Sequence, residues 1–309
     1  MKRIITLFIA FLGLVQMSQA QQELMVSQYM FNGLLLNPAY AGTRDYWSAT
    51  ALHRSQWMKF EGAPTTQVVG IDGSIAKDRL GVGLVVNNDR IGITSALDVS
   101  ANIAYHLQLT AKSTLSFGLR AGAASYSARL SELVAWDPGD NVYATGDIQG
   151  QFVPKFGFGM YWHNDRYYAG LSVPLVYSID DAIIIDNSVT SNYFTQHYYF
   201  NAGGVFDAGA NLAIKPSFLV KYHPSAPVQV DLNCNFLIYR RLWLGAGLRT
   251  GDALIGMIEY NITPQLRMGY AYDYTLSDIN TYSSGSHEVM LGFDFGSDIL
   301  VKKRSPRYF

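Results

Sequence analysis

From Val228 to Ile238 the chain reads VQVDLNCNFLI. Val228, Val230, Leu232, Cys234, Phe236 and Ile238 are apolar, and Gln229, Asp231, Asn233 and Asn235 stand between them. Strict alternation marks a β-strand with two unlike faces. It leaves open which face is wet. In a soluble sheet the apolar face is buried; in a membrane barrel it meets lipid. The pattern recurs at 97–109, 212–222, 266–274 and 287–295, and in weaker form near 115–121, 152–162, 167–175 and 242–248. Fourteen strands are expected, near 46–56, 65–75, 80–88, 93–108, 112–126, 151–163, 166–176, 196–208, 211–222, 227–239, 241–250, 253–262, 265–274 and 286–296. No long stretch has helical period, and no internal repeat is evident.

The connections are expected to alternate in length. Tight turns fall near 76–78, 110–112, 163–165, 209–210, 240–241 and 263–264. The other set, mostly longer, falls at 57–65, 88–92, 127–150, 177–195, 223–227 and 276–285. Short turns at one rim and long loops at the other are how outer-membrane barrels are built. A soluble sandwich would give the same alternation, but a soluble fourteen-stranded barrel would enclose more space than side chains can fill. The expectation is therefore an all-β, outer-membrane antiparallel barrel over residues 46–296. Cys234 and Phe236 then face lipid, Asp231 and Asn233 face the lumen, and both ends of the barrel wall lie on the short-turn, periplasmic side.

Composition agrees. Charged residues are 15% of the chain, against about 25% in soluble domains. A net charge of -1 offers no field for nucleic acid, which is excluded as a partner. Lys2-Arg3, the apolar IITLFIAFLGLV and Ser18-Gln19-Ala20 read as a signal peptide over residues 1–20. Residues 21–45 are expected to form an N-terminal plug or a periplasmic cap, and residues 297–309 a basic periplasmic tail of open role. A single cysteine, Cys234, rules out a disulfide framework. Beyond the signal no apolar run is long enough for a membrane helix, so only strands could cross.

Little in the chain suggests catalysis. Ser286 and His287 are neighbours on a strand and so point to opposite faces, His53 and His106 have no evident nucleophile partner, and no phosphate loop or nucleophile elbow is present. Neither a cofactor nor a metal site is expected. Asp137, Asp140 and Asp147 in one loop, and Asp180, Asp181 and Asp186 in another, lack EF-hand spacing and read as solvated rather than calcium-binding. The apolar AIII at 182–185 suggests a protein contact, an inward-folded loop or a strand extension. Inward charges of both signs occur: Asp98, Arg120, Lys155, Lys215, Lys221, Asp231, Arg249, Glu259, Arg267, Asp273, Glu288 and Asp294. Their balance favours a salt-bridge lattice over a selective pore. Glycines at inward positions, including Gly81, Gly83, Gly118, Gly122, Gly157, Gly159, Gly245 and Gly247, suggest close approach of another backbone.

The stretches SQYMFNGLLLNPAYAGTRD (27–45), HRSQWMKFEGAPTTQ (53–67), DRIG (89–92), YDYTLSDI (272–279), SGSHEVMLGFDF (284–295) and the closing SPRYF resemble the PorP/SprF family of type IX secretion system membrane proteins. The likeness covers essentially the whole mature chain, most strongly its ends. It implies a non-enzymatic outer-membrane barrel that contacts membrane lipids and serves export or surface attachment of a secreted adhesin-like protein, as in gliding motility, together with type IX components. A diffusion pore for a small or hydrophobic solute is the alternative. The matching motif residues are Asn37, Pro38, Tyr40, Gly42, Arg54, Trp57 and Gly62, which implies either partner binding or the holding of the N-terminal segment against the barrel. Gly33 stands where the family would have Pro, and is expected to loosen the segment there.

Overall fold

The computed structural model describes residues 25–296, apart from 45, 77, 133–146, 179–182, 186–188, 192–195 and 225. The expected signal peptide, the tail after 296 and the acidic residues Asp137, Asp140, Asp180, Asp181 and Asp186 lie outside the described residues.

Among the described residues seventeen strands follow one another: β1 (Trp47–Ser55), β2 (Thr65–Ile75), β3 (Leu80–Ile91), β4 (Thr94–Thr110), β5 (Ser113–Ala128), β6 (Ile148–Asn164), β7 (Tyr167–Ser178), β8 (Ile183–Ile185), β9 (Val189–Ser191), β10 (Tyr198–Gly204), β11 (Phe206–Asp207), β12 (Leu212–His223), β13 (Ala226–Ile238), β14 (Leu242–Arg249), β15 (Ala253–Asn261), β16 (Leu266–Thr275) and β17 (Ser286–Phe295). Fourteen form a closed antiparallel barrel. β1 pairs with both β2 and β17, and β10 pairs with both β7 and β12, which closes the ring. β11 continues β10 after the break at Val205, and β8 and β9 form a separate two-stranded sheet that takes up Ile183 to Ile185. Closure removes the edges, so every wall strand has two partners.

Alternation decides the faces. On β13, Val228, Leu232 and Phe236 are exposed on the outside, while Asp231, Asn233, Asn235 and Leu237 are buried in the lumen. The outer surface is an apolar band that includes Leu84, Ile103, Leu119, Leu171, Leu254 and Leu291, the composition a bilayer requires. Aromatic residues flank it. Trp47 stacks on Phe295 near the short-turn rim, and Tyr198 lies beside Tyr222 near the other.

One expectation about the connections is corrected. NDRIG falls in the expected, mostly longer set, but β3 runs to Ile91 and β4 begins at Thr94, so only Gly92 and Ile93 turn the chain. The connection after His223 is equally tight. Gly92 takes a left-handed φ of 56°, which glycine adopts freely. The long connections of that rim are therefore 56–64, 129–147, 179–197 and 276–285.

Candidate functional site

The core of this molecule lies inside the barrel. Residues 26–44 cross the lumen as three short 3-10 turns, Tyr29–Phe31, Gly33–Leu35 and Pro38–Tyr40. Leu34, Ala39 and Ala41 are fully buried, among wall residues such as Leu52, Val68, Ala104, Leu219 and Met290. Each buried leucine contributes roughly 1.5–3 kcal/mol relative to exposure. The inward strand faces are thus not purely polar. Trp243 and Leu237 interrupt the polar side of their strands and belong to the same buried cluster as this segment, and Trp243 meets Phe31 edge-on at 5.9 Å.

A chain in short 3-10 turns leaves many backbone groups without ladder partners, and buried ones must be satisfied. The wall charges do this. Near the long-loop rim the Ser27 and Gln28 amides donate to the two oxygens of Glu288, each at 2.7 Å. The Ser27 hydroxyl donates to Asp273 at 2.8 Å. Arg54 sits between these carboxylates, 2.7 Å from Asp273 and 3.3 Å from Glu288. Arg249 joins Asp273, Asp252 and Asp231, each within 3.3 Å. Further along, Arg120 donates to the Leu34 carbonyl at 2.6 Å and Ser172 to that of Leu36 at 2.6 Å. Lys215 donates to the Met30 carbonyl at 3.3 Å, and its ammonium lies 5.6–6.0 Å from the rings of Tyr168, Phe31 and Trp243. A buried cation is stabilised by such aromatic faces.

The motif residues separate into two groups. Asn37 caps its own turn, accepting from the Ala39 amide at 2.9 Å, and donates to the Met160 carbonyl at 2.8 Å. Pro38 opens that turn, as its fixed φ allows. Tyr40 packs edge-on against Tyr161 at 5.4 Å, and its hydroxyl accepts from Arg44. Gly42, with φ of 72°, donates to Asp72 at 3.0 Å close to the short-turn rim. These four and Arg54 belong to one assembly. Trp57 and Gly62 do not; they lie in the loop after β1, where the Trp57 amide donates to the Ser286 hydroxyl at 3.1 Å.

Glycines mark where the segment touches the wall. A methyl group at Gly118 would overlap the Ala39 backbone, one at Gly81 the Ala41 carbonyl, and one at Gly159 the Asn37 side chain. Gly122, Gly157, Gly245 and Gly247 instead accommodate neighbouring strands. Gly33 is corrected from a loosening point to a packing point, because the Tyr40 ring occupies the space a side chain there would need.

The register also brings together a pair invisible in the sequence. His106 faces Ser116 across β4 and β5, with Nδ1 2.7 Å from the hydroxyl. Ser116 is fully buried. Ser286 points inward, while His287 points outward to the Tyr270 hydroxyl. Among the described residues, no group of three His, Cys, Asp or Glu is arranged to hold a metal ion. Asp147 accepts from the Ser131 amide at 2.9 Å, which holds its carboxyl below the usual range.

Comparison with known proteins gives one family: Type IX secretion system membrane protein PorP/SprF, matched over residues 18–293. No curated protein matches. Among solved structures, the CymD monoaromatic hydrocarbon channel is 11% identical, with a TM-score of 0.46 over 85% of this chain and 91% of that one. The outer membrane protein Omp33 of Acinetobacter baumannii is 11% identical, with 0.43 over 81% and 98%. KdgM porin is 9% identical, with 0.41 over 81% and 99%.

Proposed function

The chain belongs to the PorP/SprF family of type IX secretion system membrane proteins, and on that premise we propose that this outer-membrane barrel works without catalysis or solute flux, supporting export or surface attachment of a secreted adhesin-like protein. The observation that carries the reading is the occupied lumen. A diffusion pore needs a continuous wet path lined by free polar groups. Here Arg54, Arg120, Lys215, Asp273 and Glu288 are engaged with the backbone or side chains of residues 26–44. These five charges hold a segment in place rather than line a wet path. The buried Ser116 hydroxyl is in no position to meet a substrate.

In the proposed orientation the short turns and both ends of the wall face the periplasm, and the long loops face the cell exterior. The loop rim is then the surface for the secreted partner, and the periplasmic rim is available to type IX components. The test is affinity purification of a tagged copy from gently solubilised outer membranes, with mass spectrometry of what accompanies it. A large secreted protein together with type IX components is the expected result. A partner-free barrel that conducts in a planar bilayer would establish the diffusion-pore reading instead.

A further inference from the structure

The outer face of β1, β2 and β3 changes character in rows as it nears the long-loop rim. Ala51, Val69, Val86 and Val99 form one apolar row across the paired strands. Two residues further the row is His53, Gln67 and Asn88, polar on these three strands but flanked by exposed Leu97 on β4 and exposed Val289 on β17. The next is Ser55, Thr65, Arg90 and Ser95. Hydrocarbon therefore ends between the second and third rows, because the third is polar on all four strands and polar side chains are costly in lipid. The third row lies at headgroup depth.

A pocket of 380 Å³ opens at that depth, lined by Ser55, Thr65 and Arg90 and by Lys59, Phe60 and Gly62 of the loop above. The loop is held in shape. The Gly92 amide donates to the Gly62 carbonyl at 2.9 Å, Gln56 to that of Pro64 at 2.9 Å, and Met58 pairs with 284–285 in both directions at 2.8 and 2.9 Å. Lys59 takes a left-handed φ of 75° and Gly62 one of 72°. A lysine in that region is strained, a state that persists only where its surroundings hold it. No ion pair or hydrogen bond engages the side chain of Lys59 or of Arg90 among the described residues. The nearest acid on β3, Asp89, points inward and is bound by Thr66 and Asn87. The pocket thus carries two uncommitted cations, an aromatic wall and a lower edge at the hydrocarbon boundary. We propose that Lys59 and Arg90 bind the phosphate of a lipid headgroup, with Phe60 against its glycan or acyl base. Arginine and lysine together suit a phosphate, one as a planar fork and the other as a point charge.

The test uses the full-length barrel in detergent and native mass spectrometry with phosphorylated lipid A, dephosphorylated lipid A and inorganic phosphate. The phosphorylated lipid is expected to stay bound and the dephosphorylated one to be lost. Lys59→Gln with Arg90→Gln should weaken binding roughly 30-fold, since each cation near a lipid surface contributes about a factor of five. Arg240→Gln, at the other rim, should leave binding unchanged. Equal retention of both lipids would overturn the proposal, as would equal losses in the pocket and control variants. Displacement of the lipid by millimolar inorganic phosphate would assign the pocket to free phosphate and overturn the lipid reading. Unchanged strand content by circular dichroism establishes that each variant is folded.

Discussion

At Arg54 one guanidinium serves two carboxylates, Asp273 and Glu288, and the Ser27 hydroxyl, all shielded from bulk water. Removing one member of a buried ionic group is costlier than the pair is stabilising, because the remaining charge is left uncompensated. Arg54→Met leaves Glu288 with only the two backbone amides of Ser27 and Gln28, while Asp273 keeps Arg249. The expected loss is about 3 kcal/mol, the lower end of the range for broken buried pairs. Urea unfolding in detergent micelles measures it, and a loss under about 1 kcal/mol would mean that the guanidinium is not the clamp. At this scale the sequence was partly readable. Twelve inward charges stood out by strand parity alone, and their balance pointed to a lattice. That several of them serve the backbone of an irregular segment was not readable, because Ser27 and Glu288 are 261 positions apart.

Among the elements, the strands were the most legible part. A period of two is imposed by the pleat itself, so a lipid-facing strand must show it wherever it occurs. The weak stretch at 242–248 has a physical reason: on β14 the inward position of Trp243 is apolar because it meets Phe31. The strand β3 runs past its expected end at 88, since Asn88, Asp89 and Arg90 look like a polar loop, yet they sit in register with β2 and β4. The inward glycines mark close approach: the N-terminal segment brings its backbone to Gly81 and Gly118 and the Asn37 side chain to Gly159. Gly118→Val tests this. Valine suits a strand, so the wall should keep its β-sheet circular dichroism, while overlap with Ala39 should destabilise the fold by about 1–3 kcal/mol, the usual cost of overpacking. A variant as stable as the parent would show that the segment does not press on β5.

At the scale of the whole molecule, a fourteen-stranded wall and the segment inside it are separable in principle. Deleting residues 26–44 removes the lumen core and leaves the pairing of all fourteen wall strands available. The expected outcome in a planar bilayer is a steady ion conductance in the deletion variant and very little in the parent. Comparable conductance in both would end the occupied-lumen account. The path of the segment adds a directional fact. Ser27 meets Arg54, Asp273 and Glu288 next to the long-loop rim, and Gly42 meets Asp72 next to the short turn at 76–79. The chain therefore descends the lumen before β1 begins, a route that strand counting alone does not reveal.

By itself the sequence determined the wall: its strand number, its faces and the lipid outside, since alternation, loop lengths and low charge are local properties printed along the chain. It also singled out Asn37, Pro38, Tyr40, Gly42 and Arg54. Only the tertiary structure decided that these five act together and that Trp57 and Gly62 stand apart. It alone paired His106 with Ser116 and enclosed Lys215 in aromatic rings. The reason is closure. Which inward side chains meet across a lumen depends on the register of every strand between them and on what fills the space. Neither quantity has a local pattern from which it could be read.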